Sequence, residues 1–464
     1  MNMRLDSSRR DFLASLASIS LLGGSGTLAA DGPVGFSAAT FICDVTPPLG
    51  HPLMGGGIAP ASEIVDRLSI RGVVIVGDVK PIILAVIDWC EIRNDAYEAW
   101  RSALASAAGT EPARVLLSSV HQHDAPIADL LAERLLEKAG ARGRICDLAF
   151  HEKTVAAAAQ AVREAARTLQ PLTHVGVGTA RVDRIASNRR YVGPDGKPRH
   201  DRTSATREPA IRDAEEGLID PDLRCLSFWS GEKPIAVFHQ YATHPMSYYG
   251  KGGVSADFVG MARRRFETSL PGALQVYVSG CSGNVTAGKY NDGATENRDR
   301  LADRLEDAMQ RAWKSTRKQP MTQLGFRSVP LELEFRTGPG FSFEELEARL
   351  KDGPRPFDQC LAALGLSRAI SLRNHPAIDV AAVDFGSAHY LLLPAEAYVE
   401  FQLAAAAARP DSTVVVAGYG ECSPGYIPTD RAFAEDDSNL RDWCWVAPGS
   451  ERRMIEAIRT VLAR

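Results

Sequence analysis

The chain has 464 residues, of which 45% are hydrophobic and 24% are charged. This composition is typical of a globular protein and excludes the disordered, collagen-like and coiled-coil classes. The length allows two or three domains of ordinary size, or one large α/β domain. The formal net charge of −4 creates no positive field that would attract nucleic acid or an anionic membrane, so we expect no nucleic-acid partner.

Residues 1–30 match a twin-arginine export signal. Arg9 and Arg10 precede an apolar, glycine-containing stretch at 13–28, and two alanines then provide a small-residue cleavage region. The stretch is too short and too rich in serine and glycine to span a membrane, and no other segment reaches that apolar length. We therefore predict export by the twin-arginine translocase. The mature chain, 31–464, would be periplasmic or secreted and would have no transmembrane segment.

The chain has eight cysteines. A protein exported by this route folds first in the reducing cytoplasm, so it does not need a disulfide framework. The cysteines form no CxxC pair and have no metal-knuckle spacing. Several, such as Cys90 and Cys225, lie in apolar runs typical of strands. Buried free thiols are the expected state.

Beyond the signal, runs typical of strands alternate with runs typical of helices. A β-hairpin is predicted first, with strands at 67–79 and 81–89 and Asp78 near the turn. Further predicted strands follow at 114–120, 174–182, 222–230, 234–242, 274–279, 323–336, 379–384, 388–393 and 412–419. Predicted helices lie at 93–107, 127–138, 147–168, 256–268, 294–316, 342–352, 356–369, 395–408 and 449–463.

This alternation predicts a single large mixed-sheet α/β domain with surrounding helices. The hairpin argues against a purely parallel, doubly wound sheet. The segment 183–221 is polar and interrupted by glycine and proline, so it is expected to be a long loop. Loops of this length in a compact domain are usually functional or disordered.

The strand at 114–120 leads directly into His121-Gln122-His123. Residues i and i+2 of a strand point to the same side, so both imidazoles are expected to face one site at the end of the strand. Two neutral imidazoles placed in this way can bind a metal ion. Two surface histidines in a turn are the alternative interpretation.

A second pair of histidines, His239 and His244, is separated by five positions, so the two side chains would face opposite sides of a continuous strand. We expect only one of them to be a ligand. His244 lies where the strand gives way to a loop and is followed by Pro245, whereas His239 lies in mid-strand and is expected to be a core residue.

Three further segments follow predicted strands. Ser282 lies in a glycine-rich turn that is not a GxSxG elbow, because Asn284 replaces the second glycine. Glu396 follows Pro394 and is predicted to lie in the first turn of helix 395–408, where the helix dipole favours a carboxylate. Tyr426 lies in a loop rich in proline and glycine. Each residue has a structural alternative. Ser282 could belong to a structural turn, Glu396 could cap the helix, and Tyr426 could be a packed tyrosine of the loop.

Together, the order and placement of these motifs resemble the neutral/alkaline non-lysosomal ceramidase family, a group of zinc-dependent amidases. The resemblance extends from about Cys43 to the last helix. It implies that zinc is held by four side chains, those of His121, His244, Glu396 and Tyr426. Tyrosine is not among the usual zinc ligands, so the assignment of Tyr426 depends on the family alone.

The resemblance also implies roles for three other residues. Asn188-Arg189 matches a family segment, and Arg189 and His123 would bind and polarise the scissile carbonyl. Ser282 would lie beside the metal. The expected reaction is zinc-assisted hydrolysis of an N-acyl amide, since zinc lowers the pKa of water to about 7 in such sites. Whether water attacks directly or Ser282 is acylated stays open.

Three departures from the family pattern limit the prediction of the substrate. The ceramidases carry a further C-terminal immunoglobulin-like domain, which we expect to be absent here. Gln122 and Asp124 replace small polar residues, and the loop 190–221 is charged although a lipid groove would be apolar. We therefore predict an exported zinc amidohydrolase that acts on a ceramide-like or smaller N-acyl substrate. A zinc esterase or lactonase, or a non-catalytic binding protein of the same fold, are the alternatives.

Overall fold

The predicted hairpin forms the centre of the first of three main sheets. A computed structural model describes residues 35–77 and 79–463 of the chain. Ser69–Val76 pairs antiparallel with Ile82–Ile87, which confirms the hairpin, although the predicted turn residue Asp78 lies outside the described residues. The sheet has the spatial order Val115–Ser119, Ile82–Ile87, Ser69–Val76, Ser37–Asp44, Gln170–Pro171. The sequence pattern did not predict Ser37–Asp44.

The second and third sheets are also mixed. The second has the order Leu274–Ser279, Lys233–Tyr241, Asp222–Ser230, His174–Arg181, Arg317–Pro320. The third has the order Gly325–Glu332, Ala377–Asp384, Ala388–Leu392, Thr413–Ala417. The predicted mixed α/β class is therefore confirmed, and the strands divide among several sheets.

One connection occurs in all three sheets. An antiparallel pair of strands is followed by a helix, and the chain then returns as an edge strand parallel to the second member of the pair. The three edge strands are Val115–Ser119, Leu274–Ser279 and Thr413–Ala417. Leu274–Ser279 contacts both of the other two across the interior. The carboxyl ends of parallel strands are where α/β proteins usually place their ligand sites.

Helices cover the outer faces of the sheets. Among the described residues the α-helices are Asn94–Ala108, Leu130–Lys138, Leu148–Ala165, Pro209–Asp213, Asp257–Ser269, Glu296–Lys314, Phe343–Asp352, Pro356–Asn374, Val399–Ala408, Asp430–Ala434 and Ser450–Val461. Short 3-10 helices lie at Met54–Gly56, Pro112–Arg114 and Ser438–Leu440. Within this described part of the chain, no helix is long and apolar enough to cross a membrane.

Short strand pairs connect the loops. They are Glu63–Ile64 with Gly253–Val254, Glu91–Ile92 with Ile127–Ala128, Ser187–Asn188 with Val285–Thr286, Tyr191–Val192 with Pro198–Arg199, and Glu396–Ala397 with Tyr426–Ile427. The predicted long loop 183–221 therefore contains three of these short strands and one helical turn, Pro209–Asp213.

The prediction of one helix over 395–408 was wrong at its start. Ala395 has a left-handed φ of 58°, and Glu396–Ala397 is extended because it pairs in parallel with Tyr426–Ile427. The helix begins only at Val399. Glu396 therefore lies on a short strand, because backbone pairing with a distant loop outweighed the local preference for a helix after Pro394.

Candidate metal centre

The ends of the three edge strands are joined by hydrogen bonds. The backbone N–H of Ser119 donates to Tyr419 O at 2.9 Å, and that of Gly418 donates to Ser279 O at 2.9 Å. The hydroxyl of Ser279 donates to Val120 O at 2.7 Å. Segments separated by more than a hundred residues in sequence are thus held side by side, and the candidate residues lie immediately beyond these strands.

His121 and His123 face one site, as predicted, but not through the alternation of a strand. The strand ends at Ser119, and His121 has a left-handed φ of 69°. The two rings lie 5.3 Å apart between centroids at 88°. Left-handed φ is uncommon outside glycine and is concentrated at functional sites. A turn therefore brings the imidazoles together.

The two imidazoles nearest the centre have the same orientation. Nδ1 of His121 donates to Cys90 O at 3.0 Å, and Nδ1 of His244 donates to Ser282 O at 2.6 Å. A proton held on Nδ1 leaves the lone pair on Nε2, which is the arrangement that orients histidine ligands in metal sites. Both Nε2 atoms point towards Glu396.

The carboxylate of Glu396 lies between these nitrogens. Its Oε2 is 3.0 Å from Nε2 of His244 and 3.2 Å from Nε2 of His121. All three side chains are buried. Two ligand atoms bound to one tetrahedral zinc ion lie about 3.3 Å apart, given bonds of about 2.0 Å. The spacing is therefore that of a ligand set.

The donor atoms fit a metal ion by two further criteria. His121, His244 and Glu396 offer ligand atoms that all lie within 4.8 Å of one another, and two imidazoles with one carboxylate is a common zinc set. Nε2 of His121 is buried and makes no well-aligned hydrogen bond, although Oε2 of Glu396 lies 3.2 Å away. A buried nitrogen without a partner is costly unless something else satisfies it.

A second group, Cys90 with His121 and His123, is also close enough to hold an ion. It fits less well because Nδ1 of His121 is occupied by Cys90 O. In addition, Sγ of Cys90 lies 3.9 Å from Nδ1 of His121, on the side of the ring opposite the Nε2 atom that faces Glu396. We therefore assign the candidate site to the group that contains His244 and Glu396.

Electrostatics within the centre favour a carboxylate among neutral or positive partners. Burial by itself would raise the pKa of the Glu396 carboxyl. The neighbouring His121 and His244 have the larger, opposite effect, so this pKa lies well below its usual value. Burial likewise opposes protonation of His121, but Glu396 raises the pKa of this imidazole well above its usual value. Burial and the positive Arg189 lower the pKa of His244 to about 4.

Tyr426 is placed beside Glu396 by the short parallel pair in which these residues are partners. Its hydroxyl oxygen accepts a hydrogen bond from Nη1 of Arg189 at 2.7 Å. Arg189 also donates to Asn439 Oδ1 at 3.0 Å. Burial and the charge of Glu396 outweigh Arg189 and raise the pKa of Tyr426. The phenol oxygen therefore lies between the guanidinium of Arg189 and the carboxylate of Glu396.

Ser282 is completely buried, and its hydroxyl forms a hydrogen bond of 2.7 Å with the hydroxyl of Tyr419. The ring of Tyr419 is stacked on that of His121, with centroids 4.3 Å apart and an angle of 18°. Tyr419 was not among the predicted site residues. A signal was available, because this aromatic residue lies between Gly418 and Gly420 at the very end of the predicted strand 412–419.

Glu91 is a second residue that the sequence analysis missed. It is completely buried, and its Oε1 lies 3.9 Å from Nδ1 of His121. Oε2 accepts from Nη1 of Arg93 at 2.7 Å, and Oε1 accepts from Nε1 of Trp443 at 3.1 Å. Burial outweighs Arg93 and raises the pKa of Glu91 to about 7. The signal was a charged residue two positions after the apolar predicted strand 81–89.

A cavity of about 340 Å³ opens above the centre. Four predicted residues line it, His121, His123, Glu396 and Tyr426. His244, Arg189 and Ser282 lie behind this lining. His123 has a buried Nδ1 without a partner, and burial together with His121 lowers its pKa well below the usual value. His239, predicted to be a core residue, is buried away from the centre and contacts Gln275 at 2.9 Å.

The cysteines agree with the prediction of free thiols. None of the eight is in a disulfide, and all except the half-buried Cys43 are buried. Burial raises the pKa of Cys225 to about 12, so this thiol is unreactive. At the candidate centre, Cys90 takes part through its backbone carbonyl, which accepts from Nδ1 of His121.

The structure is similar to solved structures of ceramidases. It matches neutral ceramidase from Pseudomonas aeruginosa with a TM-score of 0.66 and 16% identity, over 93% of this chain and 75% of that chain. It matches a ceramidase complexed with C2 with a TM-score of 0.65 and 16% identity, over 92% of this chain and 74% of that chain. No family model matches the sequence, and no curated protein matches it. At this identity the likeness establishes the fold, and the predicted resemblance is confirmed at that level.

Proposed function

We propose that the protein is a zinc-dependent hydrolase that cleaves the amide bond of an N-acyl substrate. The observation that carries this proposal is the position of Glu396 Oε2 between Nε2 of His121 and Nε2 of His244, at the base of an open cavity. The ceramidase fold supports the choice of an amide over other bonds. The substrate would be ceramide-like or smaller.

Four residues would hold the ion: His121, His244, Glu396 and Tyr426. Two imidazole nitrogens and a carboxylate oxygen are supplied by side chains that burial keeps in place. A bound zinc ion would supply Lewis acidity, which polarises a carbonyl and lowers the pKa of water. Backbone carbonyls fix both imidazoles, so the set is preorganised for one ion.

The scissile carbonyl would be oriented by His123 in the cavity lining and by residues behind it. His123 lines the cavity, and burial together with His121 lowers its pKa, which favours the neutral imidazole; its N–H can donate a hydrogen bond to a carbonyl oxygen. Arg189 holds the hydroxyl of Tyr426 at 2.7 Å, and its charge stabilises negative charge that develops nearby. Ser282 would act from behind this lining, through its hydrogen bond to Tyr419.

Metal analysis combined with a substrate screen tests this proposal. The purified protein is expected to contain about one zinc ion per chain and to hydrolyse N-acyl amides, with activity lost on chelation and restored by zinc. A parallel panel of esters and lactones distinguishes the alternative reaction. Ester hydrolysis without amide hydrolysis would replace the amidase by an esterase. Absence of both bound metal and hydrolysis would refute the proposal.

We also propose that residues 1–30 direct export through the twin-arginine translocase. These residues lie outside the described part of the chain, so the support is the order of the twin arginines, the apolar stretch and the alanines. Replacement of Arg9 and Arg10 by lysine is expected to retain the protein in the cytoplasm with its precursor length. Unchanged appearance in the periplasm or medium would contradict this proposal.

A further inference from the structure

The segment 435–439 connects the wall of the cavity to Arg189. Ser438 and Asn439 line the cavity above the candidate centre. Oδ1 of Asn439 accepts a hydrogen bond from Nη1 of Arg189 at 3.0 Å, and the same nitrogen donates to the hydroxyl of Tyr426 at 2.7 Å. The position of this segment therefore influences both the polar part of the wall and the orientation of the guanidinium.

His200, in the long loop 183–221, contacts this segment through both nitrogens of its ring. Nε2 lies 3.1 Å from Oε2 of Glu435, and Nδ1 lies 3.2 Å from Oδ2 of Asp437. The imidazole side chain is 7% exposed. A carboxylate oxygen is an acceptor, and the neutral ring has one N–H, so only the imidazolium can donate to both carboxylates.

Glu435 has positive partners that do not depend on His200. Its carboxylate accepts from Nε and Nη2 of Arg190 at 2.6 and 2.9 Å, and from Nε of Arg431 at 2.8 Å. The charge of Glu435 is therefore compensated whether or not the imidazole is protonated.

The buried carboxylate of Asp437 depends more strongly on His200. Its hydrogen bonds from other residues come from neutral groups, namely the hydroxyl of Tyr398 at 2.6 Å and the backbone and side-chain nitrogens of Asn439 at 2.9 and 2.7 Å. When His200 keeps only the proton on Nε2, a nitrogen lone pair faces this carboxylate, and the ion pair is lost. A shift of Asp437 also moves Asn439, which the same carboxylate holds.

We propose that protonated His200 latches the segment 435–439 to the loop, that it positions Arg189 through Asn439, and that loss of its proton at higher pH opens this latch. His200 is thus a positioning residue, since it lies outside the lining of the cavity above the candidate centre. The effect of the latch on turnover rests on the proposed hydrolysis, whereas the latch itself does not.

The charges around the imidazole set the direction of the pH dependence. Burial opposes the imidazolium, but Asp437 and Glu435 have the larger effect and raise the pKa of His200 above its usual value. The other titratable or charged groups around the adjoining cavity are Arg190, Arg431, Tyr398, Glu215 and Glu400. Because folding raises this pKa, the contribution of the latch is complete below the unfolded value near 6.5 and is lost as the pH rises through the folded value.

Hydrogen exchange of the purified protein, measured by mass spectrometry, tests the latch without requiring turnover. His200→Gln keeps a polar side chain but has no positive charge. At pH 6 we expect peptides that cover 435–439 to exchange about tenfold faster in this variant than in the wild type, because a charge-assisted hydrogen bond is lost. Comparison of the two proteins at the same pH cancels the intrinsic pH dependence of exchange. The ratio is expected to fall towards one as the pH rises through the pKa of His200.

NMR of protein with ¹³C-labelled histidine measures the pKa of His200 independently. The signal of His200 is the one that is missing from the spectrum of His200→Gln. We expect a pKa above the ordinary value of about 6.5. The midpoint of the exchange ratio is expected at the same pH.

A second variant fixes the charge of the latch. His200→Arg carries donors that stay positive at every pH used, and its side chain can extend into the cavity that His200 lines. Exchange over 435–439 is expected to remain slow from pH 6 to pH 9 in this variant. His375→Gln is the matched control, because His375 is an exposed histidine at the end of the helix Pro356–Asn374. It is expected to exchange like the wild type at each pH.

Turnover provides the last measurement. The kcat of the wild type for an N-acyl amide, divided by that of His200→Arg, is expected to fall about tenfold as the pH rises through the same midpoint, because Arg189 loses its fixed orientation. Bound zinc is expected to stay unchanged, since His200 contacts Glu435 and Asp437 rather than the proposed zinc ligands.

The outcomes separate the latch from the proposed reaction. The expected exchange ratio and midpoint without hydrolysis of any N-acyl amide would support the latch and refute the amidase. Hydrolysis together with equal exchange of the wild type and His200→Gln at pH 6 would overturn the latch and leave the amidase in place. A pKa of His200 at or below about 6.5, or an exchange ratio that is independent of pH, would also overturn the latch.

Discussion

The hydroxyl of Tyr419 lies 2.7 Å from Oγ of Ser282, while the ring of the same tyrosine is stacked on His121 at 4.3 Å. One side chain thus contacts both a proposed zinc ligand and a candidate nucleophile. Tyr419 has a left-handed φ of 59°, which is strained for a bulky residue. The backbone hydrogen bond from Ser119 to Tyr419 O helps to hold it there.

We expect Tyr419→Phe to lower kcat without removing the metal. The phenylalanine ring keeps the stack on His121, but the Ser282 hydroxyl loses its partner, and a hydrogen bond of this kind contributes about 1 kcal/mol, or roughly fivefold. Steady-state kinetics and metal analysis provide the measurement. Ser282→Ala is the companion variant, and near-normal turnover in it would exclude a covalent route.

The double variant of Tyr419→Phe and Ser282→Ala tests whether the two hydroxyls act together. If Tyr419 acts through Ser282, the double variant is expected to be no slower than Ser282→Ala alone, because residues that act as a unit are not additive. Multiplied losses would show instead that Tyr419 acts independently of Ser282.

The substitutions His121→Ala and His244→Ala are each expected to reduce bound zinc to less than a tenth of the wild-type content. Each removes one nitrogen of a three-residue set whose atoms lie within 4.8 Å, and the remaining ligands cannot complete a closed site. Elemental analysis after dialysis measures the content. His239→Gln is the control, since His239 is a buried histidine outside the set and Gln can still contact Gln275. Full metal content in both alanine variants would place the metal elsewhere.

Arg189→Ala is expected to lower kcat by about 10²-fold with the metal retained. The substitution removes the hydrogen bond to Tyr426, which lines the cavity, and a positive charge behind this lining, and loss of one such stabilising group typically costs about 10²–10³ in rate. Arg190→Ala is the matched control, because the neighbouring arginine pairs with Glu435 instead. Equal losses in the two variants would indicate a structural effect of the loop.

The stability of the fold is expected to depend on the ion pair of Asp88 with Arg263. Both oxygens of Asp88 accept from this guanidinium, at 2.6 and 2.8 Å, and both groups are buried. Burial opposes the charge, but Arg263 outweighs it and lowers the pKa of Asp88 below its usual value. Asp88→Asn leaves Arg263 buried without its countercharge, which costs about 3 kcal/mol at pH 7.

This difference in stability is expected to shrink as the solution becomes acidic. Because the pKa of Asp88 is lowered by folding, its contribution is complete above the unfolded value near 4 and is lost as the pH falls through the folded value. Urea unfolding of both proteins between pH 7 and pH 3 measures the difference. A difference that stays constant or grows below pH 4 would contradict the assigned role of Asp88.

Most helices and strands were predictable because their signals are local. Local signals are the hydrophobic periodicity of a segment and the residues that interrupt helices and strands within it. They predict the hairpin of Ser69–Val76 with Ile82–Ile87 and the helix Asp257–Ser269. The start of the helix near Glu396 was not predictable in this way, because pairing with Tyr426–Ile427 decides the backbone there. That partner lies 30 positions later in the chain.

The sequence by itself determined the mixed α/β class and the side chains available for metal chemistry. Positions after apolar strands indicated His121 and His244 as candidate ligands, and the resemblance to the ceramidase family added Glu396. Tertiary structure alone decided that one oxygen of Glu396 lies between two imidazole nitrogens, and that Tyr419 and Glu91 belong to the same region. The physical reason is that the three edge strands meet at their carboxyl ends, and this contact arises from packing between sheets that no local pattern encodes.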